Sequence, residues 1–176
     1  MNILFDISDD RIKPENFMAY IEISKNSNKK YELDKETGVL RLDRVLYTST
    51  HYPANYGFIP RTYGDDNDPL DVLVLCSESI IPGAIVECKP IGVLIMSDDK
   101  GFDEKVIAVP MHDPNYNVYN DIDDLPKHMF DEIIHFFKYY KTLEGKEVDV
   151  KDIESRDKAL EVIIKAKKLF NEKFMK

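Results

Sequence analysis

The chain has 176 residues, of which 43% are hydrophobic and 32% charged, and its formal net charge is −9. This length predicts one globular domain over residues 1–176, with enough apolar side chains for a sizeable core. The negative charge argues against nucleic acid as a partner, because phosphate-backbone binding needs a basic surface.

Targeting and redox features of the sequence predict a cytoplasmic protein. Met1 to Phe5 run directly into Asp6 without a basic region or a long apolar core, so no signal peptide is expected. No apolar run reaches the roughly 18 residues of a membrane span, and we expect no membrane association. Cys76 and Cys88 lie in apolar, strand-like stretches, which predicts two buried free thiols rather than a disulfide.

The first part of the chain predicts a short N-terminal arm or helix followed by a meander of strands. Alternating apolar side chains predict strands over 17–23, 29–33 and 39–47, with polar turns at 25–28 and 34–38. In the third strand Arg44 shares a face with Leu40, Leu42 and Leu46. A guanidinium in that position should have an internal acid or a bound oxyanion as its partner.

Residues 49–61 form an aromatic segment that we expect to be irregular. The hydroxyl groups of Tyr52 and Tyr56, four residues apart, could reach a phosphate. Semi-buried packing is the alternative role of both side chains.

An acidic segment follows, in which Asp65-Asp66-Asn67-Asp68-Pro69-Leu70-Asp71 precedes the apolar run 72–75. Asn67 and Pro69 favour a turn, so the strand is predicted to begin at Leu70, with Asp71 on the face of Leu73 and Leu75. Carboxylates this close repel each other, and burial adds a desolvation cost unless a cation compensates it. Asp66, Asp68 and Asp71 therefore suggest a site for hard cations such as Mg²⁺ or Mn²⁺, against the alternative of a solvated acidic turn.

A second acidic cluster, residues 97–105, comes after a turn at Pro82-Gly83 and short predicted strands over 84–88 and 91–96. Gly101 suggests a hairpin tip before the apolar run 106–109. If the sheet closes, the two acid-rich turns at strand ends should share one site.

Helices are expected in the C-terminal third. One begins near Asp124 and Pro126 and ends at Tyr140 and Lys141; after a linker over 145–153, a second runs from about 155 to 174. Strands first and helices last predict an α+β fold, a small closed five-stranded β-barrel with flanking C-terminal helices.

These features together resemble family I of the inorganic pyrophosphatases. Residues 66–72, Asp-Asn-Asp-Pro-Leu-Asp-Val, fit the family signature Asp-x-Asp-Pro-x-Asp-(apolar), and the resemblance runs from about Tyr20 to Lys146. It implies a five-stranded barrel of the oligonucleotide-binding type and hydrolysis of pyrophosphate by a metal-activated water. Several Mg²⁺ ions are implied, with Mn²⁺ or Zn²⁺ as substitutes, and so is the homohexamer that short members usually form.

The resemblance also implies roles for individual residues. Asp68 would be the general base, and the metal ligands would be Asp66, Asp71, Asp98 and Asp103. The phosphates would be held by Lys30, Arg44, Tyr56, Tyr140 and Lys141. The pocket would be completed by Glu22, Glu32, Tyr52, Asp99, Lys105 and Lys146. Asp99 stands where many members have Glu, which affects fine positioning rather than activity.

The residue chemistry supports this interpretation separately from the family name. Pyrophosphate is a small tetra-anion whose hydrolysis needs charge neutralisation, which metal ions with Arg and Lys supply. Phosphate-binding Gly-rich loops, Gly-x-Ser-x-Gly elbows and His-Glu-x-x-His motifs are absent from the sequence. Two alternatives stay open. One is a non-catalytic barrel that binds single-stranded nucleic acid or peptides through Tyr52, Tyr56 and Phe58, and the other is a calcium-binding structural protein.

Overall fold

A computed structural model describes residues 1–98 and 101–175. Asp99, one of the predicted site residues, lies outside the described residues. Within the described ranges the strands are β1 (Ile12–Lys13), β2 (Asn16–Ile23), β3 (Lys29–Leu33), β4 (Leu40–Val45), β5 (Asn55–Phe58), β6 (Asp71–Val74), β7 (Ile85–Asp98), β8 (Gly101–Pro110) and β9 (Asp149–Ser155). The α-helices are α1 (Ile3–Asp6), α2 (Lys127–Tyr139) and α3 (Arg156–Phe174), and 3-10 turns cover Asp9–Arg11, Ile122–Asp124 and Thr142–Glu144. No helix in these ranges is long and apolar enough to cross a membrane.

Five of the strands close into a ring. β2 pairs with both β5 and β7, β5 pairs with β6, β6 pairs in parallel with β8, and β8 returns to β7. β1 and β9 extend this sheet, and β3 and β4 form a separate hairpin. The predicted α+β class, with five strands closed on themselves and helices at the C-terminal end, is confirmed.

Side-chain alternation along β6 divides the core into two layers. Val72 and Val74 pack in the layer that α3 covers through Ala159 and Ile163. Leu73, and Leu75 two residues further on, pack in the layer that α2 covers. The predicted alternation is confirmed, and it places Asp71, by parity, at the end of the layer beneath α2.

Three predictions about single elements were wrong. The segment expected to be irregular contains β5, whose residues are all buried and so lack the alternation of a half-exposed strand. A Cβ at Gly57 would lie 1.8 Å from the Tyr20 carbonyl oxygen, so only glycine allows β5 to approach β2 this closely. The predicted linker 145–153 contains most of β9, and the two strands predicted over 84–96 form the single strand β7, which continues through a register shift between Pro90 and Gly92.

The predicted helices are present with adjusted ends. Pro126 rather than Asp124 is the N-cap of α2, because Asp124 instead completes a capping box with Asp121 around the preceding 3-10 turn. Ser155 is the N-cap of α3. Both cysteines are free, as predicted, although Cys76 is only half-buried.

Candidate active site

The site lies where the parallel strands β6 and β8 begin. The first acidic cluster ends where β6 begins, and the second spans the end of β7 and the start of β8. Parallel pairing brings the starts of β6 and β8 to the same edge of the sheet. The register places Asp71 opposite Lys105, while Phe58 of β5 lies on the other side of Asp71. The two acidic clusters, 34 residues apart when measured from Asp71 to Lys105, therefore meet in one cleft.

This cleft has a volume of about 220 Å³ and a strongly charged lining. Its carboxylates belong to Glu22, Glu32, Asp66, Asp68, Asp71, Asp98 and Asp103, and its ammonium groups to Lys30, Lys35, Lys105 and Lys141. Tyr56 and Tyr140 also line it. The structure thus gathers twelve of the predicted site residues around one space; Lys35 was not among the predictions.

Lys105 is the centre of the charge arrangement. Its Nζ atom lies 2.7 Å from Asp71 Oδ2 and 3.0 Å from Asp103 Oδ2, and it donates a 2.8 Å hydrogen bond to Tyr56 Oη. Tyr56 Oη in turn donates to Asp71 Oδ2 over 2.7 Å. Burial opposes the charge on Lys105, but Asp71, Tyr56 and Asp103 outweigh it and hold the Lys105 pKa well above its ordinary value. One ammonium group is therefore shared between two carboxylates.

Several acids of the cleft resist ionisation. Burial raises the pKa of Asp71, and the Asp103 charge adds to this against the opposing effect of Lys105. Burial also raises the pKa of Asp66, with Asp68 and Asp103 contributing. The pKa of Glu22 is raised to about 8, mainly by burial, although its Oε1 accepts a 2.8 Å hydrogen bond from the Leu33 amide. The carboxylates of the cleft thus carry more negative charge than its lysine side chains neutralise.

The donor set fits hard divalent cations. Asp66, Asp71, Asp98 and Asp103 all line the cleft and offer oxygen atoms, the ligands that Mg²⁺ and Mn²⁺ prefer. Burial and mutual repulsion penalise these carboxylates, and a bound cation would relieve that penalty. Across residues 1–98 and 101–175, however, no three His, Cys, Asp or Glu side chains are already arranged to hold a metal.

The predicted phosphate ligands approach the cleft from two elements. Lys30 of β3 is paired with Glu32 and lies 3.6 Å from Asp43. Lys141 follows α2, and its pKa is lowered by burial and by the positive charge of Lys105. Tyr140, the C-cap of α2, has its pKa raised to about 12, chiefly by burial.

Arg44 is held beside the cleft rather than in its lining. Its Nε atom lies 2.9 Å from Glu144 Oε1, and Nη1 donates to Asp43. Of the two kinds of partner expected for Arg44, an internal acid or a bound oxyanion, the structure shows internal acids. The contact with Glu144 is an ion pair without hydrogen-bond alignment, since Arg44 Nε and Glu144 Oε2 lack hydrogen-bond partners in the described part of the chain.

Two other predicted residues lie outside the lining. Tyr52 is buried behind Tyr56, with ring centroids 5.3 Å apart, and packs on Phe136 of α2. Lys146 is exposed just after the 3-10 turn, where its amide donates to the Lys141 carbonyl oxygen over 3.3 Å. Tyr52 thus contacts the cleft lining through its packing on Tyr56.

Sequence reasoning missed Lys35, Asp43 and Glu144. Lys35 belongs to the turn between β3 and β4, and turn residues are ordinarily solvated. Asp43 pairs with its sequence neighbour Arg44 and, across the hairpin, with Lys30, whereas Glu144 gains Arg44 only when the hairpin packs beside the end of α2. The one usable signal was the expectation of an acid near Arg44, which did not say where in the chain that acid lies.

Comparison with known proteins gives a consistent result. The family model described as inorganic pyrophosphatase matches residues 19–171. A Helicobacter pylori protein named inorganic pyrophosphatase is 50% identical over 159 residues, covering 89% of this chain and 92% of the relative. One from Haloferax volcanii is 43% identical over 175 residues, covering 99% of both chains. The solved structure of an inorganic pyrophosphatase from Thermus thermophilus superposes with a TM-score of 0.87 at 42% identity, covering 90% of this chain and 92% of that one.

Proposed function

The chain belongs to family I of the inorganic pyrophosphatases, and from this premise we propose how its cleft works. The reaction is the hydrolysis of inorganic pyrophosphate to two phosphates. The family is metal-dependent, and we propose Mg²⁺ as the metal here, several ions to a site, with Mn²⁺ or Zn²⁺ as substitutes.

One observation carries this proposal: seven carboxylates and four ammonium groups line the same small cleft. Such a lining suits a compact, highly charged substrate whose hydrolysis depends on charge neutralisation and positioning. It does not suit a single-strand or peptide binder, which needs exposed aromatic side chains along a basic or apolar groove. The cleft also contains four lysine ammonium groups, more than a purely structural calcium site would use.

We assign metal binding to Asp66, Asp71, Asp98 and Asp103. Divalent cations held there would neutralise phosphate charge and lower the pKa of coordinated water. Lys105 keeps Asp71 and Asp103 together through its contacts of 2.7 and 3.0 Å. Glu22, Glu32 and Tyr52 support the pocket around them, as would Asp99, which lies outside the described residues.

The bases and hydroxyl groups bind and orient the substrate. Lys30 of β3 and Lys141, which follows α2, would contact the phosphates from different elements, and Tyr140 offers a hydroxyl donor. Tyr56 would donate to a phosphate by leaving its hydrogen bond to Asp71. Arg44 reaches the phosphates by leaving part of its pairing with Asp43 and Glu144. Lys146, which is exposed just after the 3-10 turn that follows α2, would interact through its ammonium group.

Asp68 is assigned the role of general base. An attacking water oxygen forms a bond to one phosphorus, the bond from that phosphorus to the bridging oxygen breaks, and the proton of the water passes to the Asp68 carboxylate. Asp68 suits this role because its side chain is 56% exposed and lines the cleft. Asp71, by contrast, is enclosed by Tyr56 and Lys105.

Substitutions to Asn test these two roles. In Asp68→Asn the rate at saturating Mg²⁺ and substrate should fall about 10²–10⁴-fold, because the proton acceptor is lost, while calorimetric Mg²⁺ binding stays near normal. In Asp71→Asn, Mg²⁺ binding should weaken, and excess Mg²⁺ should recover part of the rate. Weakened Mg²⁺ binding with a recovered rate in Asp68→Asn would make Asp68 a ligand rather than the base.

We also propose that the protein is a single cytoplasmic domain that assembles as a homohexamer. The similarity to short family members supports this assembly, as do large apolar side chains left exposed, such as Ile81, Val118 and Leu143. Light scattering coupled to size-exclusion chromatography should give about six times the 20.5 kDa chain mass. A monomer at micromolar concentration would contradict the assembly without affecting the assigned chemistry.

A further inference from the structure

A lysine in the β3–β4 turn contacts the proposed general base. Lys35 Nζ forms an ion pair with Asp68 Oδ1 and donates a 3.1 Å hydrogen bond to the Asn67 carbonyl oxygen. We propose that Lys35 is a positioning residue, which fixes the Asp68 carboxylate for proton transfer. This inference rests on the proposed role of Asp68 as general base.

The turn that carries Lys35 is internally braced. Asp34 Oδ1 accepts hydrogen bonds from the amides of Glu36 and Thr37 at 2.9 and 3.2 Å. Gly38 closes the turn with a φ of 74°, and its amide donates to the Asp34 carbonyl oxygen over 2.7 Å. From the N-terminal segment, Asn2 Nδ2 donates to the Lys35 carbonyl oxygen over 2.9 Å. Hydrogen bonds within the turn and from Asn2 thus fix the Lys35 backbone, and the Lys35 ammonium group extends from this fixed backbone to Asp68.

The acidic loop is held on its own side as well, but only through its backbone. The Asp68 amide donates to Asp66 Oδ1 over 3.1 Å, and the Asp68 carbonyl oxygen accepts from the Gly64 amide over 2.8 Å. These bonds leave the side-chain torsions of Asp68 free. Among the described residues, Lys35 provides the only hydrogen bond or ion pair to the Asp68 carboxylate, and it uses Oδ1. Oδ2 stays available to accept a proton.

A contact of this kind affects rate rather than stability. The side chains of Lys35 and Asp68 are 52% and 56% exposed, and ion pairs between such groups contribute little to folding. A carboxylate that rotates away from the attacking water, however, lowers the rate steeply, since misplacement by about 1 Å costs up to 10²-fold. The expected signature is therefore a lower kcat without a loss of substrate affinity.

The chain offers a matched control. Lys165 of α3 binds the same acidic loop through Asp65, at 3.1 Å, and its side chain is 60% exposed. Lys165→Met removes an ion pair of similar exposure from the loop without touching Asp68. The experiment compares Lys35→Met, Lys35→Arg and Lys165→Met with the unmodified full chain at saturating Mg²⁺, measuring kcat and KM for pyrophosphate, Mg²⁺ binding by calorimetry and the melting temperature.

We expect Lys35→Met to lower kcat about 10-fold, with KM and Mg²⁺ binding unchanged. Lys35→Arg should recover most of this loss, and Lys165→Met should match the unmodified protein. In an Asp68→Asn background, Lys35→Met should have no further effect on kcat, because Lys35 acts through Asp68. A raised KM at normal kcat in Lys35→Met would make Lys35 a phosphate ligand and overturn the inference.

Two further outcomes are distinguishable. If Asp68→Asn collapses the rate while Lys35→Met behaves normally, Asp68 remains the base and the positioning role of Lys35 is wrong. If Asp68→Asn keeps its rate, the proposed base is wrong, and the positioning inference is overturned with it. An equal loss of kcat in Lys165→Met would show that any loosening of the loop suffices, which also overturns a specific role for Lys35.

Discussion

The buried ammonium group of Lys105 gives the sharpest prediction about stability. Lys105→Met keeps an unbranched side chain beside the rings of Tyr56 and Phe137, whose centroids lie 5.1 and 5.3 Å from Nζ. It removes the charge that compensates Asp71 and Asp103. The side chain of Lys105 is only 3% exposed, so water cannot take over that role.

The expected loss follows from breaking a buried ion pair on one side. Removing one partner of such a pair destabilises a protein by about 3–5 kcal/mol, because the other charge stays buried without compensation. Here two carboxylates are left, but Asp71 already has a raised pKa and can take up a proton, which limits the loss. We therefore expect about 3–5 kcal/mol in EDTA near neutral pH, a large part of the roughly 5–15 kcal/mol that stabilises a typical domain.

Divalent cations should reverse part of this loss. A cation bound by the same carboxylates supplies the missing positive charge, and binding to the folded state alone stabilises by about 2.7 kcal/mol at a ligand concentration 100 times Kd. Urea unfolding of Lys105→Met and the unmodified protein, with EDTA and with saturating Mg²⁺, measures the stability loss and its recovery by Mg²⁺. Lys165→Met serves as the exposed control. A loss below about 1 kcal/mol in EDTA, or an equal loss with and without Mg²⁺, would refute the compensation argument.

Three further predictions concern the substrate and the acids. Arg44→Ala and Lys141→Ala should each lower kcat/KM for pyrophosphate about ten- to a hundredfold, because each loses a charge-assisted contact of about 1.5–3 kcal/mol. Under Mg²⁺, phosphate release from ATP and phosphomonoesters should be far slower than from pyrophosphate, because the small cleft is lined mainly by charged groups. In EDTA, Glu22→Gln should have a higher free energy of unfolding than the unmodified protein above pH 8, and the difference should disappear only below the ordinary Glu22 pKa of 4.5.

The sign of the Glu22 effect follows from its raised pKa of about 8. The stability contributed by the protonated carboxyl is fully present below its ordinary pKa of 4.5 and is lost as the pH rises through about 8. The amide of Gln stays uncharged throughout. Parallel stability curves for the two proteins would contradict this.

Unchanged kinetics in both Arg44→Ala and Lys141→Ala would make these residues structural, and equal turnover of ATP would contradict the selectivity.

Sequence patterns predicted those parts of the fold in which alternation and burial agree. In β6, Val72 and Val74 belong to one core layer and Leu73 to the other, so alternation placed Asp71 correctly. The same reasoning failed for β5, which is buried on both faces. It also failed for β9, where a register shift opposite Ile95 and Met96 interrupts the alternation. In each case pairing with distant strands, rather than local pattern, determines the structure.

The site was predictable to the extent that its chemistry is local in sequence. The acids of 65–71 and 97–105 could be recognised as two clusters, and their meeting was inferred from sheet closure. The partner of each charge was not predictable, because it depends on register: β6 and β8 align Asp71 with Lys105 across the intervening chain. Lys35 and Glu144 likewise have no local signal, since each finds its acid or base only after the β3–β4 hairpin packs against the ring.

The charge balance of the cleft connects its stability to its substrate. With every group ionised, seven carboxylates outweigh four ammonium groups, and a pyrophosphate anion would enter a space that already repels it. Raised pKa values at Asp66, Asp71 and Glu22 show that the folded chain itself resists this excess. Lys105 relieves it only at Asp71 and Asp103. Cations that neutralise the remaining acids would also make the local electrostatic potential positive. The same carboxylates that destabilise the fold by repulsion therefore make anion binding dependent on divalent metal.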